Sequence, residues 1–272
     1  MKSQYKENLM KRTVLFTLIL TMAMTAGAQD LESLLVKNET MPRPPATEGD
    51  MKMVIVNKAG QARTREIKAY TKTEADGTDR QMLIFSAPAD VKDTRFLTVD
   101  YEAAGKDDEQ YIYLPALRKV RAIGTSGGDS KTGAFLGSDF SFADLGSLDR
   151  SDFTATAVGE EQLDGMKYIK VEYLAKGPAT VKKYGYGKVV KWINAENATS
   201  RKSEYYDNSL KLVKRLTVNG QRLMDGKYWQ FQSMEMANLE SGGKTIWEFV
   251  KSVNLPSIDD KYFTLRYLER GR

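Results

Sequence analysis

The sequence has 272 residues, of which 28% are charged and 41% are hydrophobic, and it contains neither cysteine nor histidine. The lack of Cys excludes disulfides, thiolate metal sites and thiol nucleophiles, and the lack of His excludes Ser-His-Asp triads and imidazole zinc sites. Residues 1–28 hold four of the 41 basic and one of the 36 acidic residues, or +3 of the net charge of +5, so the rest carries only +2. Because a nearly neutral chain is a poor partner for a phosphate polymer, we expect no nucleic-acid binding.

Residues 1–28 have the three parts of a secretory signal peptide. A basic start ends at Lys11-Arg12, an apolar run covers Thr13–Met24, and a small-residue A-x-A site ends at Ala28. The apolar run is shorter than the roughly 20 residues that span a bilayer. We therefore expect an exported protein that is cleaved before Gln29 and is soluble. Without Cys, it cannot carry an N-terminal lipid anchor.

A short helix and a proline-rich connector are predicted over residues 29–49. Three leucines have the i, i+3, i+4 spacing of one helix face: Leu31, Leu34 and Leu35. Three prolines between Met41 and Pro45 forbid a helix and indicate an extended connector. We predict a single domain over residues 50–272, because no change in composition divides that stretch.

Alternating apolar and polar residues follow, as in Tyr168–Tyr173, where Ile169 and Val171 lie on one face and Lys170 on the other. Turn dipeptides separate these runs: Asp76-Gly77, Asp164-Gly165, Asn219-Gly220 and Asp225-Gly226. The pattern predicts an antiparallel meander of ten or eleven strands, because no helical stretches intervene. A strongly curved sheet of this size leaves an apolar hollow, which suits a hydrophobic guest or a plug from the chain itself.

Two segments interrupt the meander. Residues 123–150 are rich in glycine and then in aromatic residues, and an S-x-x-D capping box at Ser257–Asp260 predicts a helical turn near the C-terminus. Gly124–Gly128 matches the G-x-S-x-G motif of serine hydrolases, but the chain has no His partner, so we interpret it as a loop. Carboxylate pairs such as Asp107-Asp108 are interpreted as solvated turns.

The candidate ligand-binding or lid residues are five large apolar side chains in the glycine-flanked loop: Phe135, Leu136, Phe140, Phe142 and Leu145. Leaving each of them in water would cost roughly 1.5–3 kcal/mol. Two interpretations stay open. The loop either plugs the hollow and moves aside for a ligand, or it is permanently buried and completes the core.

Three basic residues near an apolar strand form a candidate rim for an anionic lipid headgroup: Arg118, Lys119 and Arg121. The alternative is an ordinary edge strand that is guarded by charge against aggregation.

Three stretches of the sequence carry a family resemblance: Tyr113–Arg121 (YLPALRKVR), Gly133–Leu145 (GAFLGSDFSFADL) and residues 260–270. They resemble the LolA-like outer-membrane lipoprotein-sorting protein family. The resemblance implies a mainly β protein with few helices, in which one strongly curved antiparallel sheet forms an unclosed half β-barrel with a helical or loop lid. It further implies a periplasmic location and a hydrophobic cavity. In the LolA carrier an arginine holds the lid, and the sequence assigns no arginine to that role.

The function implied by the resemblance is a non-enzymatic carrier that moves lipid or lipoprotein acyl chains between the inner and outer membranes, without a cofactor or metal. The implied partners are an inner-membrane exporter of the RND or ABC type and an outer-membrane acceptor. One alternative is an interaction module, acting as an exporter adaptor or envelope-stress sensor through the same curved sheet. A third reading, an enzyme, would need a carboxylate, Ser-Lys or Tyr mechanism.

Overall fold

A computed structural model describes residues 30–102, 106, 108–124 and 130–272 of the protein. The predicted signal peptide and most of the G-x-S-x-G match, residues 125–128, lie outside this part of the chain. Within the described residues, no helix has the length and apolar composition needed to cross a membrane.

The part of the chain that is described contains fifteen strands and three helices. The strands are β1 Ala46–Val56, β2 Ala62–Thr73, β3 Asp79–Ala87, β4 Arg95–Asp100, β5 Glu109–Leu114, β6 Lys119–Ile123, β7 Phe153–Leu163, β8 Met166–Ala175, β9 Lys188–Asn194, β10 Ser200–Tyr206, β11 Leu212–Asn219, β12 Arg222–Met224, β13 Tyr228–Gln230, β14 Ser233–Asn238 and β15 Lys244–Leu255. The helices are α1 (30–39), α2 Pro178–Tyr184 and α3 Leu265–Arg270.

Thirteen strands form one antiparallel sheet in the order β6-β5-β4-β3-β2-β1-β15-β14-β11-β10-β9-β8-β7. The sheet is not closed into a barrel, which confirms the predicted half-barrel architecture. Its centre is the β1–β15 pair, in which Ala46 lies opposite Leu255, and its two edges are β6 and β7. The chain between these edges, residues 124–152, is the connection that carries the aromatic loop.

The predicted number of ten or eleven strands was too low. Two of the additional strands, β12 and β13, have only three residues each and form a separate two-stranded ribbon. Such short elements offer too few residues for an alternating pattern to be recognised. Three of the four predicted turn dipeptides lie between consecutive strands, and the fourth, Asn219-Gly220, begins at the last residue of β11.

The inner face of the sheet carries the main hydrophobic core, in which α1 is included. Leu35 of α1 is 2% exposed and packs in the same cluster as Phe85, Phe96 and Trp247 of the sheet. This confirms the predicted helix. The boundary predicted between residues 49 and 50 falls inside β1.

The outer face of β2–β6 is covered by the C-terminal segment, where Phe263 and Leu268 pack on Met82 and Leu97. A 3-10 turn at Asp260–Phe263 confirms the predicted helical turn. Its cap, however, is not Ser257. The Asp259 carboxylate accepts the amide hydrogen of Lys261 at 2.9 Å and takes that role.

Candidate functional site

Residues 133–145, called here the aromatic segment, lie across the inner face of the half-barrel. The segment folds back on itself, since the Phe135 amide donates to the Phe140 carbonyl at 2.7 Å and Ala134 forms a bridge with Ser141. The segment contains two 3-10 turns, Phe135–Gly137 and Ala143–Leu145. Gly137 adopts a φ of 73°, a conformation that favours glycine.

The structure buries all three phenylalanines of the predicted lid. Phe135 is 0% exposed, Phe140 3% and Phe142 7%. The ring of Phe135 lies 5.0 Å from that of Phe96 and 6.3 Å from that of Trp247, centroid to centroid. Leu136 and Leu145 are partly buried against the same cluster. Residues of the chain itself therefore fill the space against the inner face of the sheet, where the sequence predicted a hollow.

Polar contacts attach the aromatic segment to strands on both sides of the hollow. The Arg65 guanidinium of β2 donates to the Leu136 carbonyl at 2.7 Å, and burial lowers the pKa of Arg65. On β15, the Thr245 hydroxyl donates to the Asp139 carboxylate at 2.8 Å. The Gln110 amide of β5 donates to the Phe142 carbonyl at 3.0 Å.

The strongest polar anchor of the segment is Asp144, whose side chain is 2% exposed. Its carboxylate accepts hydrogen bonds from the Lys214 ammonium at 3.1 Å, the Tyr186 hydroxyl at 2.8 Å and the Ser141 amide at 2.7 Å. Burial, with the charge of Asp144, raises the pKa of Tyr186, which keeps this phenol a hydrogen-bond donor at neutral pH. An ion pair between the segment and β11 thus holds its C-terminal end.

The predicted headgroup rim lies at one edge of the sheet. Arg118 and Lys119 are exposed at the β5–β6 turn, and Arg121 is half-buried on edge strand β6. Arg121 pairs in register with Ile112, which belongs to the inner core, so Arg121 shares the face on which the aromatic segment lies.

A polar cleft of about 360 Å³ opens where the connector after α1 approaches the end of the aromatic segment. Arg43 and Leu145 lie on its two sides, and Thr98 of β4 lies among its lining residues. The Thr98 hydroxyl is buried and has no hydrogen-bond partner. The inner face of the sheet therefore reaches solvent through a hydrophilic opening.

A carboxylate pair lies beside this cleft. Ser147 donates to Asp100 at 3.1 Å, and the Tyr101 amide donates to Asp108 at 3.2 Å. Burial first, and then the charge of Asp100, raises the pKa of Asp108 to about 6. Asp108 is therefore not the solvated turn residue that the sequence predicted. Asp107 lies outside the described residues.

We expect the stability of the protein to depend on pH through Asp108. Its folded pKa of about 6 lies above the ordinary value of 3.8, so the folded state holds this proton more tightly than the unfolded state does. The stabilisation is complete below pH 4 and is lost as the pH rises through 6. Urea denaturation between pH 4 and 7 should show less of this decline in Asp108→Asn than in the wild type. An unchanged slope would contradict the assignment.

Sequence reasoning did not identify Arg65, Asp144 or Lys214. The sequence does indicate the position of Arg65, because its spacing from the inward-facing Ile67 and Ala69 places it on the same face of the strand. A charged residue at an inward position of a strand has to find a buried partner. Asp144 lies in an irregular loop, where no periodicity predicts the direction of a side chain.

Comparison with known proteins places these features in a family. A family model described as "Uncharacterized protein" matches residues 77–270, most of the chain, and no curated protein matches. A DUF1329 family protein from Desulfovibrio piger is 28% identical, with a TM-score of 0.77, and the match covers 87% of this chain and 96% of that one. A domain from Vibrio parahaemolyticus, assigned to outer-membrane lipoprotein sorting, is 25% identical, with a TM-score of 0.77 and coverage of 89% and 97%.

A LolA superfamily protein from Nitrosomonas europaea has the same fold, with a TM-score of 0.64 at 17% identity, and the match covers 87% of this chain and 98% of that one. The chain belongs to the family whose model matches residues 77–270, and its solved neighbours support the LolA-like resemblance. In this chain, Arg65 contacts the aromatic segment through the Leu136 carbonyl. Within the described residues, no three acidic side chains are grouped so that they could hold a metal ion.

Proposed function

We propose that this protein is a non-enzymatic periplasmic carrier that shields lipid or lipoprotein acyl chains between the inner and outer membranes. The observation that supports this most directly is the aromatic segment, which fills the inner face of an unclosed sheet with Phe135, Phe140 and Phe142. The Vibrio parahaemolyticus domain, with its assignment to lipoprotein sorting, gives further support. The proposed partners are an inner-membrane exporter and an outer-membrane acceptor.

An acyl chain would take the place of the three phenylalanine rings against the inner face. The exchange replaces one apolar contact with another, so its net hydrophobic free energy is small. The balance between the closed and loaded states then depends on the polar ties that must break, above all the Arg65 bond to Leu136 and the Asp144–Lys214 ion pair. These residues would set how readily cargo enters.

The cationic rim would hold the anionic headgroup of the cargo. In this proposal Arg121, on the inner face of the edge strand, is the member closest to the bound chain, and Arg118 and Lys119 extend the positive charge towards solvent. A charge-assisted hydrogen bond to a phosphate or carboxylate would orient the lipid with its acyl chain in the hollow.

The cysteine-free chain allows a direct test with an engineered disulfide. Asp139 and Thr245 are in hydrogen-bond contact, so the pair Asp139→Cys/Thr245→Cys would tether the segment to β15. We expect the oxidised variant to lose uptake of a fluorescent fatty acid at least 10-fold and to regain it on reduction. The matched control is Thr156→Cys/Glu172→Cys, a cross-strand pair between β7 and β8.

A second variant keeps the proposal falsifiable if the tethered protein does not fold. Arg65→Ala removes a charged hydrogen bond worth about 1.5–3 kcal/mol, so hydrogen exchange of residues 133–145 should accelerate 10-fold or more. Arg63→Ala, an exposed arginine of the same strand, is the control. If the tethered protein takes up fatty acid as well as the wild type does, or if native mass spectrometry finds no lipid on protein extracted from cells, the carrier proposal fails.

Polar substitutions at Phe140 and Phe142 separate the carrier from an interaction module. In a carrier they should abolish ligand retention. In an exporter adaptor or stress sensor, crosslinking in cells should capture the same membrane protein with or without these substitutions.

A further inference from the structure

An open groove of about 660 Å³ lies on the outside of the molecule, between the β5–β6 turn and helix α3. It is separate from the inner hollow, because α3 belongs to the C-terminal segment that covers the outer face of the sheet. Seven residues line it: Arg118, Lys119, Val120, Leu265, Arg266, Glu269 and Arg270.

The groove combines four cationic side chains with a single carboxylate. The carboxylate of Glu269 lies 3.8 Å from the guanidinium of Arg270 and forms an ion pair with it. Arg118, Lys119 and Arg266 have no ion pair with any residue in the described ranges 30–102, 106, 108–124 and 130–272. A net charge of about +3 is therefore concentrated on one small surface and is not neutralised by the protein.

Exposed leucines accompany these charges. Leu117, next to Arg118 in the β5–β6 turn, is 59% exposed, and Leu265, in the groove, is 49% exposed. Large apolar side chains that are surrounded by Arg and Lys are typical of surfaces that enter the headgroup region of a membrane. Neither leucine contributes to a core of the protein.

Helix α3, which forms one side of the groove, is anchored from below. Leu268 is fully buried, and the guanidinium of Arg95 donates to the carbonyls of Leu268 at 3.1 Å and Glu269 at 3.3 Å. The helix begins at a capped residue, since the Thr264 hydroxyl accepts from the Tyr267 amide at 3.1 Å. Arg266 and Arg270 therefore project from a helix that is fixed to the sheet.

We infer that this groove, with Leu117 and Leu265, docks the protein onto the surface of an anionic phospholipid bilayer. The cations meet phosphate-bearing headgroups, and the two leucines insert at the boundary between headgroups and acyl chains. A second copy of the chain is a poor occupant, because a symmetric contact would bring two clusters of like charge together. The inference goes beyond cargo binding, since the groove lies on the opposite face from the hollow.

Co-sedimentation with vesicles tests the inference. Full-length mature protein is mixed with vesicles of phosphatidylcholine alone or with 30% phosphatidylglycerol, in about 0.1 M salt. We expect binding only to the anionic vesicles. Because each cation near such a surface contributes about 1 kcal/mol, Arg266→Gln/Arg270→Gln, which removes two groove cations outside the proposed headgroup rim, should weaken binding about 30-fold. Leu117→Ser/Leu265→Ser should weaken the part of the binding that persists at high salt.

The matched control is Lys182→Gln/Lys251→Gln, which removes the same charge at two exposed positions outside the groove. Circular dichroism and fatty-acid uptake should be unchanged in every variant, so a failure of docking is distinguishable from a failure of cargo binding. Equal binding of the groove variant and the control to anionic vesicles overturns the inference. Displacement from vesicles by millimolar inorganic phosphate also overturns it, because that result indicates a site for a single anion. A dimer that the groove variant dissociates overturns it as well, because that result indicates a contact between two copies of the chain.

Discussion

Replacing Phe135 with alanine is expected to lower the free energy of unfolding by about 3–5 kcal/mol, because a fully buried ring is lost and the hollow cannot collapse around the gap. The ring lies at the centre of an aromatic cluster with Phe85, Phe96, Phe142 and Trp247. Urea denaturation at 25 °C measures the change.

The control for this prediction is Phe231→Ala. Phe231 is half-buried between β13 and β14 and belongs to none of the three apolar clusters, so its loss should cost about 1 kcal/mol. If Phe135→Ala costs no more than the control, the aromatic segment contributes little to the folded state, and its burial is incidental.

Breaking the ion pair between Asp144 and Lys214 should have a similarly large effect. Lys214→Met leaves a carboxylate that is 2% exposed without its cation, which should cost about 3–5 kcal/mol. In the double variant Asp144→Asn/Lys214→Met, the uncompensated charge is gone, and the Tyr186 hydroxyl can still donate to the amide oxygen. We therefore expect the double variant to be more stable than the sum of the single changes predicts, by about 1–3 kcal/mol.

Lys211 provides the comparison for the ion pair. It lies 2.9 Å from Glu240 with both side chains more than half exposed, so Lys211→Met should change the stability by less than about 1 kcal/mol. Equal effects at Lys211 and Lys214 would mean that burial does not strengthen the Asp144 contact. Hydrogen exchange of the segment in Lys214→Met would show whether the loss is local or global.

The sequence allowed the general architecture to be predicted, because alternation and turn dipeptides act locally. Ile169 and Val171 face inward in β8 as their spacing requires, and Asp164-Gly165 makes the turn before that strand. The strands that were missed, such as β12 and β13, are shorter than one full alternation pattern.

Long-range contacts were not predictable in the same way. The sequence identified the five apolar residues of the aromatic segment, but not the contacts that attach the segment to the sheet. Asp139 contacts Thr245, which is 106 positions away, and Arg65 contacts Leu136, which is 71 positions away. Burial first, and then the charge of Asp100 at the end of β4, raises the pKa of Asp108, and neither cause is visible in the sequence around Asp108. Only the three-dimensional register brings such groups together.

The connection between the two edge strands is longer than the path that it spans. Twelve gaps of about 4.8 Å separate β6 from β7 along the arc of the sheet, which gives a path of about 58 Å. Residues 124–152 are 29 residues, and their fully extended length is about 100 Å. The proposed movement of the aromatic segment would use this excess of some 40 Å, so it would neither pull the two edges together nor break a strand pair.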